Sequence, residues 1–156
     1  KSSGNMDQIR MTRIMKMLIK LSVGLMLINS TAEAETKALL LYDSGTHKIF
    51  AGCLNCNRHD DASICNRYGE YGSKYSDLSI WNRYGDFGSK YQDNSPWSRY
   101  GEGLIIVDSD GAFYGQFSLN RHPRYGQSEI SFVQSLLKLY EADFDLDKIR
   151  DLLCEQ

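Results

Sequence analysis

The chain has 156 residues, 42% hydrophobic and 12% aromatic, with 18 Lys and Arg against 20 Asp and Glu. That apolar content supports a packed core and excludes wholesale disorder, and the size suits one domain. A net charge of −2 excludes the basic field that nucleic-acid binding needs.

Residues 1–34 carry the three parts of a secretory leader in order. Arg10, Arg13, Lys16 and Lys20 form the positive region, Leu21–Ile28 the apolar region, and Ala32-Glu33-Ala34 a small-x-small cleavage site. Met6 or Met11 is the start on this reading, and residues 1–5 lie upstream. The apolar run is about eight residues, far below the ~20 that a membrane span requires. The expectation is a periplasmic or secreted protein that does not span a membrane, with a single mature domain over 35–156. That domain holds 13 basic and 18 acidic side chains, a net of −5, which steers it toward neither DNA nor anionic lipid.

Four cysteines remain: Cys53, Cys56, Cys65 and Cys154. In an oxidising compartment an even count predicts two disulfides, and three pairings are open. A bond from Cys154 back to the cluster would close a loop of about 90–100 residues, worth about 4–5 kcal/mol. Two sharper readings compete. Cys53-Leu-Asn-Cys56 could be a redox pair, but it follows a strand-like run rather than opening a helix. Cys53, Cys56, Cys65 and His59 could hold zinc, but no second C-x2-C or H-x3-H pair accompanies them. Structural disulfides are the expectation, with no metal and no cofactor.

Residues 39–52 and 104–117 each read as strand, turn, strand, with Asp-Ser and a nearby Gly at the turn. They look like one unit used twice. Paired, they would give a four-stranded antiparallel sheet, enough for independent stability. Asp108-Ser-Asp110-Gly111 also opens like a calcium loop, but Leu119 stands where the last carboxylate belongs, so a turn is expected.

Between the hairpins lies a 16-residue repeat over 64–102. Ile64–Ser79 is followed by Ile80–Ser95 and a truncated third copy, Pro96–Glu102. Ser63, Ser79 and Ser95 suggest caps of short helical turns, ended five or six residues on by Gly in the left-handed conformation. Two glycines per unit argue against one continuous helix, since each costs about 1 kcal/mol there. Short turns pinned by aromatic rings are expected.

The pattern Ser-Ile-Trp-Asn-x-Tyr-Gly-x-Tyr-Gly-Ser-x-Tyr, between Gly52-Cys-Leu-Asn-Cys56 and Val107-Asp-x-x-Gly-x-Phe-Tyr-Gly115, resembles a family of small exported bacterial proteins of no assigned activity. The matching stretches cover about half of the mature chain. The resemblance implies export and a hairpin, repeat, hairpin layout, and it transfers no catalytic residue. Cys65 departs from the pattern, since later units carry Trp81 and Trp97 there.

Residues 128–141 predict a helix, with Ile130, Val133, Leu137 and Tyr140 on one stripe and Ser128 as N-cap. A second helix is expected from about Asp145, with Leu146, Ile149 and Leu153 on one face. The fold class is α+β: two similar hairpins in one small sheet, the repeat as an insert, and C-terminal helices covering the sheet.

No G-x-S-x-G, H-E-x-x-H or phosphate-binding glycine motif is present, and no catalytic residue is assigned. The leading expectation is a non-catalytic binding protein of the cell envelope, contacting a glycan or an envelope protein. Its candidate surface is Tyr68, Tyr71, Trp81, Tyr84, Phe87, Trp97 and Tyr100, with Tyr75 and Tyr91 recurring beside them. The competing reading packs these rings inward as the core of the insert. Single-stranded nucleic acid is disfavoured, because the repeat carries five basic and five acidic side chains. A second class is an exported inhibitor or immunity-type protein acting on a cationic hydrolase. A third is a small secreted enzyme, metal or redox protein using Cys53, Cys56 and His59.

Overall fold

Leu39-Leu-Leu-Tyr-Asp43 and Leu104-Ile-Ile-Val-Asp108 are apolar without alternation, the mark of strands buried on both faces. In the computed structural model, which describes residues 36–155, these two runs are the central strands of a four-stranded antiparallel sheet. Strands β1 (Leu39–Asp43), β2 (Phe50–Cys53), β3 (Leu104–Asp108) and β4 (Phe113–Phe117) run in the order β2-β1-β3-β4. The hairpins therefore pair through their first strands, with Leu41 opposite Ile106 at the centre. The leader predicted over 1–34 lies outside the described residues.

The two hairpins share their devices. Each second strand carries a bulge beside a glycine of positive φ, Gly52 at 109° and Gly115 at 86°. Each outer edge is closed by the returning chain. The amide of Cys53 donates to Ala62 and that of Ile64 to Cys53, while Gln116 donates to Gly126 and Ser128 to Gln116. Each edge is covered at one bridge, Cys53 with Ser63 and Gln116 with Gln127, which shortens the strand edge left open to another chain.

The turn aspartates are buried and hold their turns through backbone amides. Asp108 accepts from Asp110 and Ala112, closing the expected turn. Asp43 accepts from Thr46, Lys48 and Ile49 at 2.6–2.9 Å. Burial pushes the Asp43 carboxyl up, but the amides of Ile49, Thr46 and Lys48 outweigh it and hold it at about 2. A carboxyl lowered on folding stabilises the fold fully above its unfolded value of about 3.9, and that stability is lost as pH falls through about 2. Wild type and Asp43→Asn should therefore differ in urea midpoint at pH 5 and converge as pH falls toward 2.

The repeat forms neither helix nor strand. Amides of Asn66, Gly69, Ser73, Ser76 and Ser79 each donate to the first residue of the turn behind them, and Asn82, Gly85, Ser89, Gln92 and Ser95 do the same one unit later. Turn steps of three, three, four, three and three residues return the chain to the same phase after 16. Ser and Asn at the turn starts accept from the amide two residues on, as at Ser63, Asn66, Ser79, Asn82 and Ser95. Such local side-chain bonds compete with helix and sheet, and here they win.

Each unit closes one coil and the next lies on it. The indole N–H of Trp81 donates to the Ile64 carbonyl at 2.6 Å, and that of Trp97 to Ile80 at 2.6 Å. The third carbonyl at this phase, Pro96, accepts from the amide of Leu119 just after β4, so the sheet takes the place of another coil. The expected left-handed glycine caps are not found, since no repeat glycine has positive φ. Glycine is needed for a different reason. A Cβ at Gly72 or Gly88 would sit 2.2 or 2.1 Å from the carbonyl oxygen of Asn66 or Asn82.

Helix α1 (Ser131–Asp143) starts three residues later than the sequence predicts. Ser128 does not cap it: its hydroxyl accepts from the amide of Ile130, ahead of the helix, while its own amide closes the edge of β4. Helix α2 (Leu146–Cys154) is capped by Asp145, which accepts from Asp147 and Lys148. The helices dock on the coils, whose tryptophans lie between them and the sheet. Tyr140 of α1 meets Trp97 at 4.8 Å between ring centroids, and Trp97 meets Phe117 of β4 at 5.2 Å. Disulfides join Cys53 to Cys56 and Cys65 to Cys154, so the cysteine that departs from the repeat ties the first coil to α2. Among the described residues no helix is long and apolar enough to cross a membrane.

Candidate functional site

The coil sorts its aromatics by phase. Residues that follow Ile, Pro or Asp point inward: Trp81, Phe87 and Trp97 are at most 2% exposed and belong to the single apolar core. These three are corrected here. They do not form an exposed aromatic face: Trp97 packs against Trp81, Phe117 and Tyr140, and Trp81, 2% exposed, reaches only the back of the larger groove described below. Tyr71 is half-buried with its ring edge-on to Phe50 at 4.8 Å; burial, then Glu70 beside it, pushes its phenol up.

Residues that follow Arg or Lys point outward. Tyr68, Tyr84 and Tyr100 occupy one phase and Tyr75 and Tyr91 another, all at least 82% exposed. A large ring left in water gains nothing for folding, so five at fixed phases form a patch that the fold does not require. Rigid turns hold them: the amides of Tyr68, Tyr75, Tyr84 and Tyr91 are each bonded to the Ser or Asn that opens the turn.

Basic side chains flank the rings at every step. Arg67 pairs with Asp151 and Glu155, Arg83 with Asp147, and Arg99 with Glu141, so one phase of the coil follows the acidic side of the two helices. Each pair is solvent-exposed and worth about 0–1 kcal/mol. Lys74 and Lys90 lie over the rings of Tyr75 and Tyr91 at 5.6 and 5.2 Å.

Two grooves run between these rows and the helices. One, of about 480 Å³, is walled by Tyr75 and Tyr84 with Lys74, Arg83, Asn82 and Asp147. The next, of about 250 Å³, shares Arg83 and Tyr84 and adds Lys90, Tyr91 and Phe144 over a floor of Tyr140. Phe144 ends α1 in the left-handed conformation at φ 56°, its amide donating to Tyr140. Glycine is the usual residue there, and a Cβ costs roughly 1–2 kcal/mol. Even so the phenylalanine ring is more than half exposed and faces the groove.

The alternative cluster offers no thiolate to a metal in this structure. Cys53 and Cys56 are bonded to each other, Cys65 is bonded to Cys154, and His59 sits exposed in a turn. Among the described residues no group of three His, Cys, Asp or Glu is placed to hold a metal. The groove residues Lys74, Arg83, Lys90 and Phe144 were not singled out from sequence. The signal for the first three was present, as each directly precedes an outward tyrosine. No family model, curated protein or solved structure matches the chain.

Proposed function

We propose that this is an exported, non-catalytic binding protein of the bacterial cell envelope, whose tyrosine face contacts a glycan or an envelope protein. The observation that carries this reading is the five exposed tyrosines held at two fixed phases of a rigid coil. Such a face offers stacking area at little entropic cost, because the rings are already positioned. The pairing of all four cysteines supports export, since disulfides persist in oxidising compartments.

The test is co-sedimentation of the purified protein with peptidoglycan sacculi, beside a Tyr68→Ala, Tyr84→Ala, Tyr100→Ala variant. All three side chains are exposed, so the variant should fold with an unchanged thermal midpoint. At ~1 kcal/mol per lost ring contact, its affinity should fall about a hundredfold. Equal sedimentation of variant and wild type would remove the tyrosine face from the account.

A further inference from the structure

The charges of the coil are segregated, and this deepens the reading above, on which it rests. The repeat carries basic and acidic side chains in equal number, yet only the basic ones line the grooves. Arg83 and Lys90 line the smaller groove, whose walls hold no carboxylate. Arg83 reaches Asp147 of the neighbouring groove at 3.4 Å in an exposed pair worth about 0–1 kcal/mol, whereas Lys90 makes no ion pair among the described residues and is the groove's principal cation. In a mature domain of net −5 this is a local reversal of sign. A third cleft, at the first coil, repeats the arrangement with Arg58 and Arg67 beside Tyr68, opposed there by Glu155 of the C-terminal segment.

The second, independent observation is Phe144. A bulky residue in the left-handed region is a costly choice for a helix end, and strain of this kind clusters at ligand-binding positions. Its ring is only partly used by the fold, through an edge contact with Tyr140 and the guanidinium of Arg99 at 5.9 Å. The rest of the ring completes an aromatic enclosure with Tyr84 and Tyr91. A lining of aromatic side chains together with Lys90 and Arg83 matches a ring that is apolar on its faces and anionic at its edge.

We infer that the groove formed by Arg83, Tyr84, Lys90, Tyr91 and Phe144 binds an acidic sugar residue of a linear glycan, the tyrosines and Phe144 stacking on the ring while Arg83 and Lys90 take its carboxylate. The neighbouring groove at Tyr75 and Lys74 shares Tyr84 and Arg83, so it receives the adjoining residue of the same chain. Charge recognition at an open groove is screened by salt, so affinity falls as ionic strength rises.

Three probes test this on the purified full chain by calorimetry: oligogalacturonate, its methyl ester, and poly(glycerol phosphate). Oligogalacturonate should bind, and the ester, with the same rings and no charge, should bind at least tenfold more weakly. Poly(glycerol phosphate), anionic without rings, should also be at least tenfold weaker. Lys90→Gln and Phe144→Gly should each weaken oligogalacturonate at least tenfold. Phe144→Gly relieves the left-handed strain, so its loss of binding with retained circular dichroism cannot be unfolding. Equal binding of acid and ester, equal binding of the phosphate polymer, or no binding of the acid would each overturn the inference. Sacculi separate it from the broader reading. If the tyrosine variant releases sacculi while Lys90→Gln with Phe144→Gly retains them, the tyrosine face stands and the acidic-sugar groove falls.

Discussion

Replacing Trp97 by alanine is expected to destabilise the protein by about 3–5 kcal/mol, a large part of the 5–15 kcal/mol typical of a whole domain. The indole is 1% exposed and joins every layer of the molecule. It meets Trp81 of the coil before, Phe117 of β4 and Tyr140 of α1, with centroids 4.8–5.9 Å apart. Alanine would leave a cavity among all three and strip the Ile80 carbonyl of its buried donor. Tyr100→Ala, three residues away and almost wholly exposed, is the matched control and should change stability by less than about 0.5 kcal/mol. Urea unfolding of the two variants checks both figures. Similar losses in both would mean that the coil does not sort its rings by phase.

The second large effect belongs to the Cys65–Cys154 bond. It spans 89 residues of sequence and ties the first coil to α2. Loop entropy alone makes it worth about 4–5 kcal/mol, against about 2 kcal/mol for the short Cys53–Cys56 loop. Cys65→Ser with Cys154→Ser should therefore lower the urea midpoint at least twice as far as Cys53→Ser with Cys56→Ser. The reverse order would show that the short bond holds an otherwise unstable edge of β2.

The hairpins were legible because both strand pairs carry their own punctuation, an apolar run, an aspartate turn and a glycine, in one local stretch each. Their pairing into one sheet was expected, but its order, with β1 against β3 at the centre, was not read from the sequence. The repeat was visible as a period, but its coil was not. Turn-on-turn structure has no periodicity of 2 or 3.6, so hydrophobic patterning gives no signal for it. The error over Trp81, Phe87 and Trp97 has the same root, since aromatic type alone does not separate inside from outside. The preceding residue does: Arg and Lys mark Tyr68, Tyr75, Tyr84, Tyr91 and Tyr100 as outward. Phe144 was hidden for another reason. Its position depends on a left-handed helix end that a phenylalanine does not announce.

The central claim is that the coil puts its tryptophans in the core and its tyrosines on a face that meets the ligand. Hydroxyl-radical footprinting with mass spectrometry, on the free protein and on protein bound to sacculi, reads both halves at once. The account predicts strong labelling of Tyr68, Tyr75, Tyr84, Tyr91 and Tyr100 in the free protein, with Trp81 and Trp97 unlabelled. On sacculi the same tyrosines should become protected while Tyr114 and Tyr125, far along the chain in the second hairpin and its return, keep their labelling. Labelled tryptophans would contradict the coil, and tyrosines that stay reactive on sacculi would contradict the binding face.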